Sequence, residues 1–291
     1  MQYLVLLFLW LLHLLPNIVL YFLSDLLYLL CSKIIRYRHS IITQNLSRSF
    51  PEKSKAEIAA IRNSFYKNFC DLLLEVPILM CGSENRIRKM VSFKNTDLLN
   101  EHFKNGESLI VLQGHFMNWE LSLILGATDS LHERYVIYKT LSDKVSQHLM
   151  LKLRVRFNTK MLPMFETIKF IESHASKQGS EKAPAIFQFG ADQTPLKHKI
   201  EYWTTFMNQE CGFFLGPENL AKKFNLPLVY LDLNRLKRGS YEVSFHPLDI
   251  DTKEAKRFEI TEAYIKQLEE SISRDPGNWL WSHKRWKHER N

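Results

Sequence analysis

His115 and Glu120 have the residue types and the spacing of a general base with an orienting acid. A neutral imidazole can take the proton of a hydroxyl group while the hydroxyl oxygen attacks a thioester. A carboxylate on the other ring nitrogen fixes the tautomer and stabilises the imidazolium that forms. The pair could therefore activate a hydroxyl nucleophile, provided that the fold brings the two side chains together.

The spacing alone has little specificity. The chain has 11 histidines and 31 acidic residues among its 291 residues, so chance predicts about one such match. Three histidines are followed five positions later by an acid: His102 by Glu107, His115 by Glu120 and His246 by Asp251. His102 lies in a polar stretch and His246 in an acidic loop, which favours neither as a base.

The sequence around His115 is different. An apolar run at 108–113 predicts a buried strand, Gly114 allows a tight turn, and 118–127 is predicted to be a helix. Ligands of open α/β sheets gather beyond the carboxyl ends of strands. Two side chains five residues apart on one helix point about 140° apart. We therefore expect His115 to precede the helix and Glu120 to lie in its first turns.

A second polar segment follows another apolar run. Residues 185–189 predict a strand, and Asp192 and Gln193 follow shortly after it. Because the carboxyl ends of parallel strands meet at one edge of a sheet, both side chains could line the same cleft as His115. A turn capped by Asp192 explains the same residues equally simply, so both interpretations stay open.

Short apolar runs alternate with amphipathic stretches through the body of the chain. The pattern predicts further strands at 135–138, 228–233 and 241–245, and helices at 51–81, 141–156, 165–178, 217–224 and 259–273. Residues 40–51 are typical of a linker. Strands that alternate with helices predict an α/β domain around a parallel or mixed sheet.

The N-terminus is strongly apolar, and Asp25 carries the only formal charge between residues 4 and 30. As one helix this stretch would be about 40 Å long, more than the roughly 30 Å hydrocarbon core of a bilayer. Pro16 interrupts it, which leaves a single kinked spanning helix or two short helices in one leaflet. The run lacks the basic start and the cleavage site of a signal peptide. A buried helix pair of a soluble protein is the alternative.

Lys33, Arg36 and Arg38 follow the apolar run directly. Positive charge beside an apolar segment marks the cytoplasmic side of a membrane. We therefore predict two parts, a membrane anchor at 1–32 and a cytoplasm-facing domain at 33–291.

The net charge of +8 favours anionic partners, such as phosphate groups or an anionic membrane surface. The basic, aromatic tail at 284–290 has the same preference unless it is only a solvated end. No nucleic-acid-binding module is recognisable, and the four cysteines form no zinc-binding pattern. We predict neither a nucleic-acid partner nor a metal. A basic membrane-bound protein without catalysis would share these properties.

Five sequence blocks occur in an order typical of one protein family. They lie at 36–38, 114–120, 191–193, 213–217 and 281–287. Together they resemble the late lipid A acyltransferases (lauroyl and myristoyl transferases), and the match extends over nearly the whole chain. Met117, where the family usually has Gly, and Lys139, where it often has Arg, depart from the pattern.

The resemblance implies a glycerophosphate-acyltransferase-like α/β fold, with a mixed sheet flanked by helices. It implies an acyl carrier protein thioester as donor, a hydroxyl of a lipid A precursor as acceptor, and no cofactor. His115 and Glu120 would be the catalytic pair.

The same resemblance implies further site residues and a location. Substrate-binding roles fall to Asn118, Arg154, Asp192 and Gln193, with Arg156 as the alternative to Arg154. The expected location is the cytoplasmic face of a bacterial inner membrane. A lysophospholipid or an aminolipid is the alternative acceptor within the same superfamily.

Overall fold

The computed structural model describes residues 2–127, 130–140, 142–175 and 183–290. The described residues include the α-helices α1 (Gln2–His13), α2 (Asn17–Leu29), α3 (His39–Ser49), α4 (Lys55–Cys81), α5 (Glu84–Arg88), α6 (Thr96–Lys104), α7 (Lys144–Arg154), α8 (Thr167–Ala175), α9 (Gly216–Phe224) and α10 (Glu259–Arg274). The strands are β1 (Val91–Lys94), β2 (Leu109–Gln113), β3 (Glu133–Tyr138), β4 (Thr159–Pro163), β5 (Ala185–Gly190), β6 (Tyr202–Phe206), β7 (Gln209–Phe213), β8 (Leu228–Lys237) and β9 (Ser240–Pro247). Short 3₁₀ segments lie at Trp119–Ala127, Val155–Phe157, Lys197–Lys199 and Pro276–Asn278, and a π-helical segment at Leu30–Ile34.

Seven strands form a mixed sheet in the order β1-β9-β8-β2-β5-β3-β4. Neighbouring strands are parallel except β8 and β9, which form an antiparallel hairpin. The central strand β2 is buried along its whole length, as expected for a parallel strand covered on both faces. Strands β6 and β7 form a separate antiparallel pair. The predicted α/β architecture, with a mixed sheet flanked by helices, is confirmed.

The five predicted strands correspond to β2, β3, β5, β8 and β9. The sequence did not predict β1 or β4, which lie at the two edges of the sheet. Each is only four or five residues long and partly exposed, so neither has the continuous apolar run of a central strand. The β6–β7 hairpin was missed as well.

Two other segments differ from the prediction. Residues Trp119–Ala127 form a 3₁₀ helix instead of an α-helix; this segment is apolar almost throughout, so no amphipathic face fixes its period. The predicted linker at 40–51 is the helix α3, which buries Ile42 and Leu46. Residues 141 and 176–178, at the ends of two predicted helices, lie outside the described residues.

Helix α4 supports the N-terminal segment. Its start is fixed by a capping box in which Ser54 and Glu57 exchange hydrogen bonds. Both α1 and α2 pack on α4. Helix α2 runs antiparallel to α4, because Tyr21 donates to Glu75 while Ser24, one turn later, donates to Asp71.

The chain breaks between α1 and α2 at Pro16, as its position predicted. One helical segment among the described residues, Asn17–Ile34, is long and apolar enough to cross a membrane. Only 17% of this segment is buried in the protein, whereas a core helix of a soluble protein would be mostly buried. The division into an anchor at 1–32 and a body at 33–291 stays a prediction.

Candidate active site

The register of the sheet brings two polar loops together. Strands β2 and β5 are parallel neighbours, and Gln113, the last residue of β2, is paired with Gly190, the last of β5. His115 and Asp192 each follow their strand by two residues, so they emerge side by side at the carboxyl edge of the sheet. The two loops are joined directly, because the amide of Ala191 donates to the carbonyl of Gln113.

The carboxylate of Asp192 holds the ring and the backbone of His115. Its Oδ1 lies 2.5 Å from Nδ1 of His115, and its Oδ2 accepts the His115 amide at 2.8 Å. Oδ2 also accepts the indole N–H of Trp279 at 2.8 Å. An ionised carboxylate accepts but does not donate, so the Nδ1–H tautomer is assigned and Nε2 is left as the basic nitrogen. Nε2 has no hydrogen-bond partner within the described residues.

The two partners shift each other's pKa values. Burial lowers the pKa of His115, but the charge of Asp192 and the hydrogen bond to it outweigh burial and raise that pKa above its ordinary 6.5. Burial would raise the pKa of Asp192, yet the His115 contacts lower it to about 2. Asp192 is therefore ionised at neutral pH, where its charge can stabilise an imidazolium at His115.

Glu120 lies beside this pair but makes no hydrogen bond to the imidazole; its partners are Arg154 and Trp119. Its carboxylate accepts from Arg154, with Nε 3.0 and 3.1 Å from the two oxygens and Nη2 2.5 Å from Oε1. The Trp119 indole N–H also donates to Oε1 of Glu120, at 2.9 Å. The Trp119 and His115 rings pack edge to face, with their centroids 5.2 Å apart. The orienting contact predicted for Glu120 is therefore made by Asp192 instead. A 3₁₀ segment that starts at Trp119 turns Glu120 towards α7.

The sequence model of a family described as bacterial lipid A biosynthesis acyltransferase matches residues 1–288 of the chain. The chain belongs to this family. It is 23% identical over 285 residues to a lipid A biosynthesis palmitoleoyltransferase of Escherichia coli K12. The aligned region covers 96% of this chain and 88% of the relative. A lipid A biosynthesis acyltransferase of Shigella flexneri matches to the same extent. The protein is thus an acyltransferase, and the alternative of a binding protein without catalysis is set aside.

Two residues predicted to bind substrate are buried in this acyltransferase. Asn118 has no exposed surface, and its amide donates to Glu75 of α4 at 2.9 Å. Asp192 is 1% exposed and fully engaged with His115 and Trp279. Both side chains therefore position the His115 loop and are not placed to touch a substrate.

The other predicted site residues face outwards or lie nearby. Gln193 is exposed next to Asp192, so it can contact a ligand. Arg154 is only partly buried and uses Nε and Nη2 on Glu120, while its Nη1 has no partner within the described part of the chain. The alternative, Arg156, donates to the carbonyls of Leu79 and Gly82 at the end of α4. This engagement favours Arg154 as the arginine of the site.

The other two histidine–acid matches have no such surroundings. His102 and Glu107 form a partly exposed pair at 2.7 Å, just before β2 and hence at the opposite edge of the sheet from His115. The ring of His246 is bonded to the hydroxyl of Ser244 at 2.9 Å and not to Asp251. The choice of His115 among the three therefore agrees with the geometry.

The sequence marked 281–287 as a family block, but it did not predict that residues 278–280 contact the His115 loop. The amide of Leu280 donates to the carbonyl of His115, and the amide of Met117 donates to Asn278. Trp279, between them, donates to Asp192. The two tryptophans at 279 and 281, both buried, were the available signal, because a tail of solvated residues has no reason to contain them.

His283 and Arg285 in the same segment also point inwards. His283 Nε2 accepts the amide of Thr194 at 3.1 Å, and burial lowers the His283 pKa to about 4, so the ring is neutral and fixes the loop after Asp192. Arg285 is fully buried against the rings of Phe206 and Phe213. The tail at 284–290 is therefore not simply a solvated basic end, although Lys284 and Lys287 are exposed.

Proposed function

We propose that this protein transfers a fatty acyl chain from an acyl carrier protein thioester to a hydroxyl of a lipid A precursor, with His115 as the general base. The observation that carries the proposal is the short contact between Nδ1 of His115 and the buried carboxylate of Asp192. This contact leaves Nε2 as the proton acceptor on a ring that is 18% exposed.

In the proposed reaction, His115 takes one proton from the acceptor hydroxyl and gives it to the leaving thiolate. The acceptor hydroxyl gives its proton to Nε2 of His115 as its oxygen forms a bond to the thioester carbon. The C–S bond then breaks, and the imidazolium returns the proton to the departing thiolate. Asp192 stabilises the imidazolium between these two steps.

Glu120 and Arg154 have a supporting role in this proposal. The Glu120 carboxylate accepts from Nε and Nη2 of Arg154 and so fixes the orientation of the guanidinium. Nη1 is then available for the oxyanion of the tetrahedral intermediate or for a phosphate oxygen, both of which suit an arginine fork. The predicted His115–Glu120 mechanism is thus modified to one in which Glu120 acts through Arg154.

The acceptor and the location rest on the family and on charge. A phosphorylated glucosamine lipid suits a chain of net charge +8, with Lys284 and Lys287 exposed on the segment that packs on the site loop. The basic residues Lys33, Arg36 and Arg38 support the cytoplasmic face of the inner membrane. We further propose that the mixed sheet is of the glycerophosphate-acyltransferase type, with an anchor at 1–32, a body at 33–291 and no metal or other cofactor.

The decisive assay uses the purified full-length protein in mixed micelles. It offers an acyl carrier protein thioester together with either a lipid A precursor or a lysophospholipid, and lipid products are identified by mass spectrometry. We expect acylation of the lipid A precursor. The His115→Ala variant should be slower by about 10²–10⁴-fold, while His102→Ala, the matched control, should keep its rate. Acylation of the lysophospholipid alone would assign the protein to the alternative acceptor.

A further inference from the structure

The middle of α2 is fastened to the α/β body by polar contacts. Tyr21 donates to Glu75 at 3.0 Å, and Ser24 donates to Asp71 at 2.6 Å. One turn further on, the ammonium of Lys67 lies over the ring of Tyr28. These contacts follow α2 over about two turns, so the helix lies alongside α4 instead of projecting from the body.

The β8–β9 hairpin contacts the same stretch of α2. Arg238 donates to both carboxylate oxygens of Asp25 at 2.8 and 3.1 Å, and to the carbonyl of Tyr21. Its guanidinium also covers the Tyr21 ring. The next residue, Gly239, has a φ of +72°, and a Cβ there would collide with the Tyr21 hydroxyl. The turn of the hairpin is therefore packed directly against α2.

These contacts conflict with a helix that crosses the bilayer. If Asn17–Ile34 spanned the membrane, Asp25 would lie near its midplane, and the hairpin turn with Lys237 and Arg238 would lie at the same depth. Charged side chains at that depth are costly and rare unless they face the protein interior or a water-filled cavity, and Lys237 is exposed. Lipid-exposed turns do not occur within the hydrocarbon region, where their backbone groups have no water to bond. The body cannot follow α2 into the bilayer at that cost.

The outer face of α2 is nevertheless suited to lipid. Ile18, Phe22, Leu26 and Leu29 are exposed by 80, 62, 48 and 50%, and they recur at three- and four-residue steps, so they form one stripe. Helix α1 carries a similar stripe of exposed residues: Leu4, Leu7, Phe8 and Leu11. On the opposite face of α2, Leu20 and Ser24 are buried against the body.

Exposed basic residues lie beside these stripes. Lys33 follows α2, Lys67 lies over Tyr28 of α2, and Lys237 is in the hairpin that packs on α2. An apolar stripe flanked by lysines is the pattern of a helix that lies in the plane of an anionic membrane surface.

We infer that α1 and α2 do not cross the bilayer but lie in the plane of one leaflet, with their outward stripes in the acyl region of an anionic membrane. The inference deepens the proposed function, on which it rests for the presence of a membrane. It also places the site close to that leaflet, because Glu75 accepts from Tyr21 of α2 and from Asn118 of the His115 loop. A lipid acceptor would then reach His115 from the leaflet on which the protein lies.

The depth of α2 in a bilayer tests the inference. Single cysteines replace Ile18, Phe22, Leu26 or Leu29 in full-length protein that lacks the four native cysteines. Each is labelled with an environment-sensitive fluorophore and bound to vesicles of phosphatidylethanolamine and phosphatidylglycerol. Lipids that carry a quencher at different depths along the acyl chain then report the depth of each labelled position in the bilayer. A cysteine at the inward-facing Leu20 is the matched control and should show little quenching.

An in-plane helix places all four outer positions at one shallow depth. A spanning helix would separate positions 18 and 29 by about 16 Å, at 1.5 Å per residue, with position 26 near the midplane; that profile would overturn the inference. The same holds if none of the four labels is quenched by lipid. A failure of the acyl-transfer assay, in contrast, would leave this depth profile unchanged, so the two proposals fail separately.

A second measurement avoids the cysteine-free background. A peptide tag is placed ahead of Met1 of the otherwise unchanged chain, and spheroplasts are treated with protease. The in-plane arrangement keeps the tag on the same side as the body, so it should resist cleavage until the membrane is permeabilised. Cleavage of the tag in intact spheroplasts, with the body protected, would show a span and contradict the inference.

Discussion

The state of His115 depends on one buried carboxylate. Burial alone would lower the pKa of the imidazole, and the charge of Asp192 reverses this shift. Only the neutral ring can accept a proton, so the rate of acyl transfer should rise with pH through the His115 pKa, which lies above the ordinary value of 6.5. A pH–rate profile of kcat/KM measures that midpoint.

The variant Asp192→Asn separates the charge of the acid from its shape. Without the charge, the effect of burial remains, so the rising limb of the pH–rate profile should move to lower pH. The plateau should fall by about 10²–10⁴-fold, because the tautomer is no longer fixed and the imidazolium is less stable. His102→Ala should leave both the midpoint and the plateau unchanged. A midpoint that stays in place in Asp192→Asn would show that Asp192 does not set the His115 pKa.

Gly190 is the second residue on which the ring depends. A Cβ at this position would lie 2.7 Å from Cε1 of His115, which is closer than real contacts allow, so Gly190→Ala should push the imidazole out of line with the acceptor. A displacement of about 1 Å can cost 10²-fold in rate, and we expect a loss of about that size in kcat with an unchanged circular-dichroism spectrum. A variant with full activity would mean that the ring can move without consequence.

At the scale of elements, α4 connects α2 with the candidate site. Glu75 is 1% exposed and accepts from three side chains, those of Tyr21, Asn118 and Tyr241. Burial raises the pKa of Glu75, and these three hydrogen bonds act against that shift. The carboxylate thereby joins α2, the His115 loop and the sheet.

Replacing Glu75 tests this connection. Glu75→Ala leaves two buried donors, Asn118 and Tyr241, and the partly buried Tyr21 without their acceptor. Each unsatisfied buried group costs about 1–3 kcal/mol, so urea unfolding should show a loss of at least that size. Glu75→Gln, which keeps one acceptor oxygen, should lose less. The control is Glu84→Ala in α5, the helix that follows α4. It removes a partly exposed ion pair with Arg88 of the same helix, and such a pair is worth about 0.2–0.5 kcal/mol. Equal losses in Glu75→Ala and Glu84→Ala would contradict the role given to Glu75.

The sequence predicted correctly those features that depend on a single stretch of the chain. The continuous apolar runs predicted the central strands, and the strand–turn context of His115 selected it among three matches. The partner of His115 could not be predicted in the same way, because Asp192 is 77 residues away in the chain and reaches the ring only through the parallel register of β2 and β5. Glu120 lies closer in sequence, but the 3₁₀ geometry of its segment directs it to Arg154.

At the scale of the whole molecule, the N-terminal segment is part of the fold as well as the proposed membrane contact. The predicted division at residue 32 describes it as a detachable anchor. In the structure, Leu20 is 1% exposed, and removal of α2 would leave Asp71 without Ser24 and Glu75 without Tyr21. A protein whose stability depends on these contacts should not tolerate their loss, whether or not lipid is present.

A chain that starts at Lys33 should therefore unfold at a lower urea concentration than the full-length protein in the same detergent. The control is the full-length double variant Ile18→Ser and Phe22→Ser, which changes only outward-facing side chains. It should bind vesicles less well and keep its unfolding midpoint, because neither residue packs in the core. If the truncated chain unfolded at the same midpoint as the full-length protein, α2 would be a separable anchor. If the truncated chain unfolds at a lower urea concentration, one face of α2 stabilises the fold around the site, while the opposite face carries the residues proposed to contact lipid.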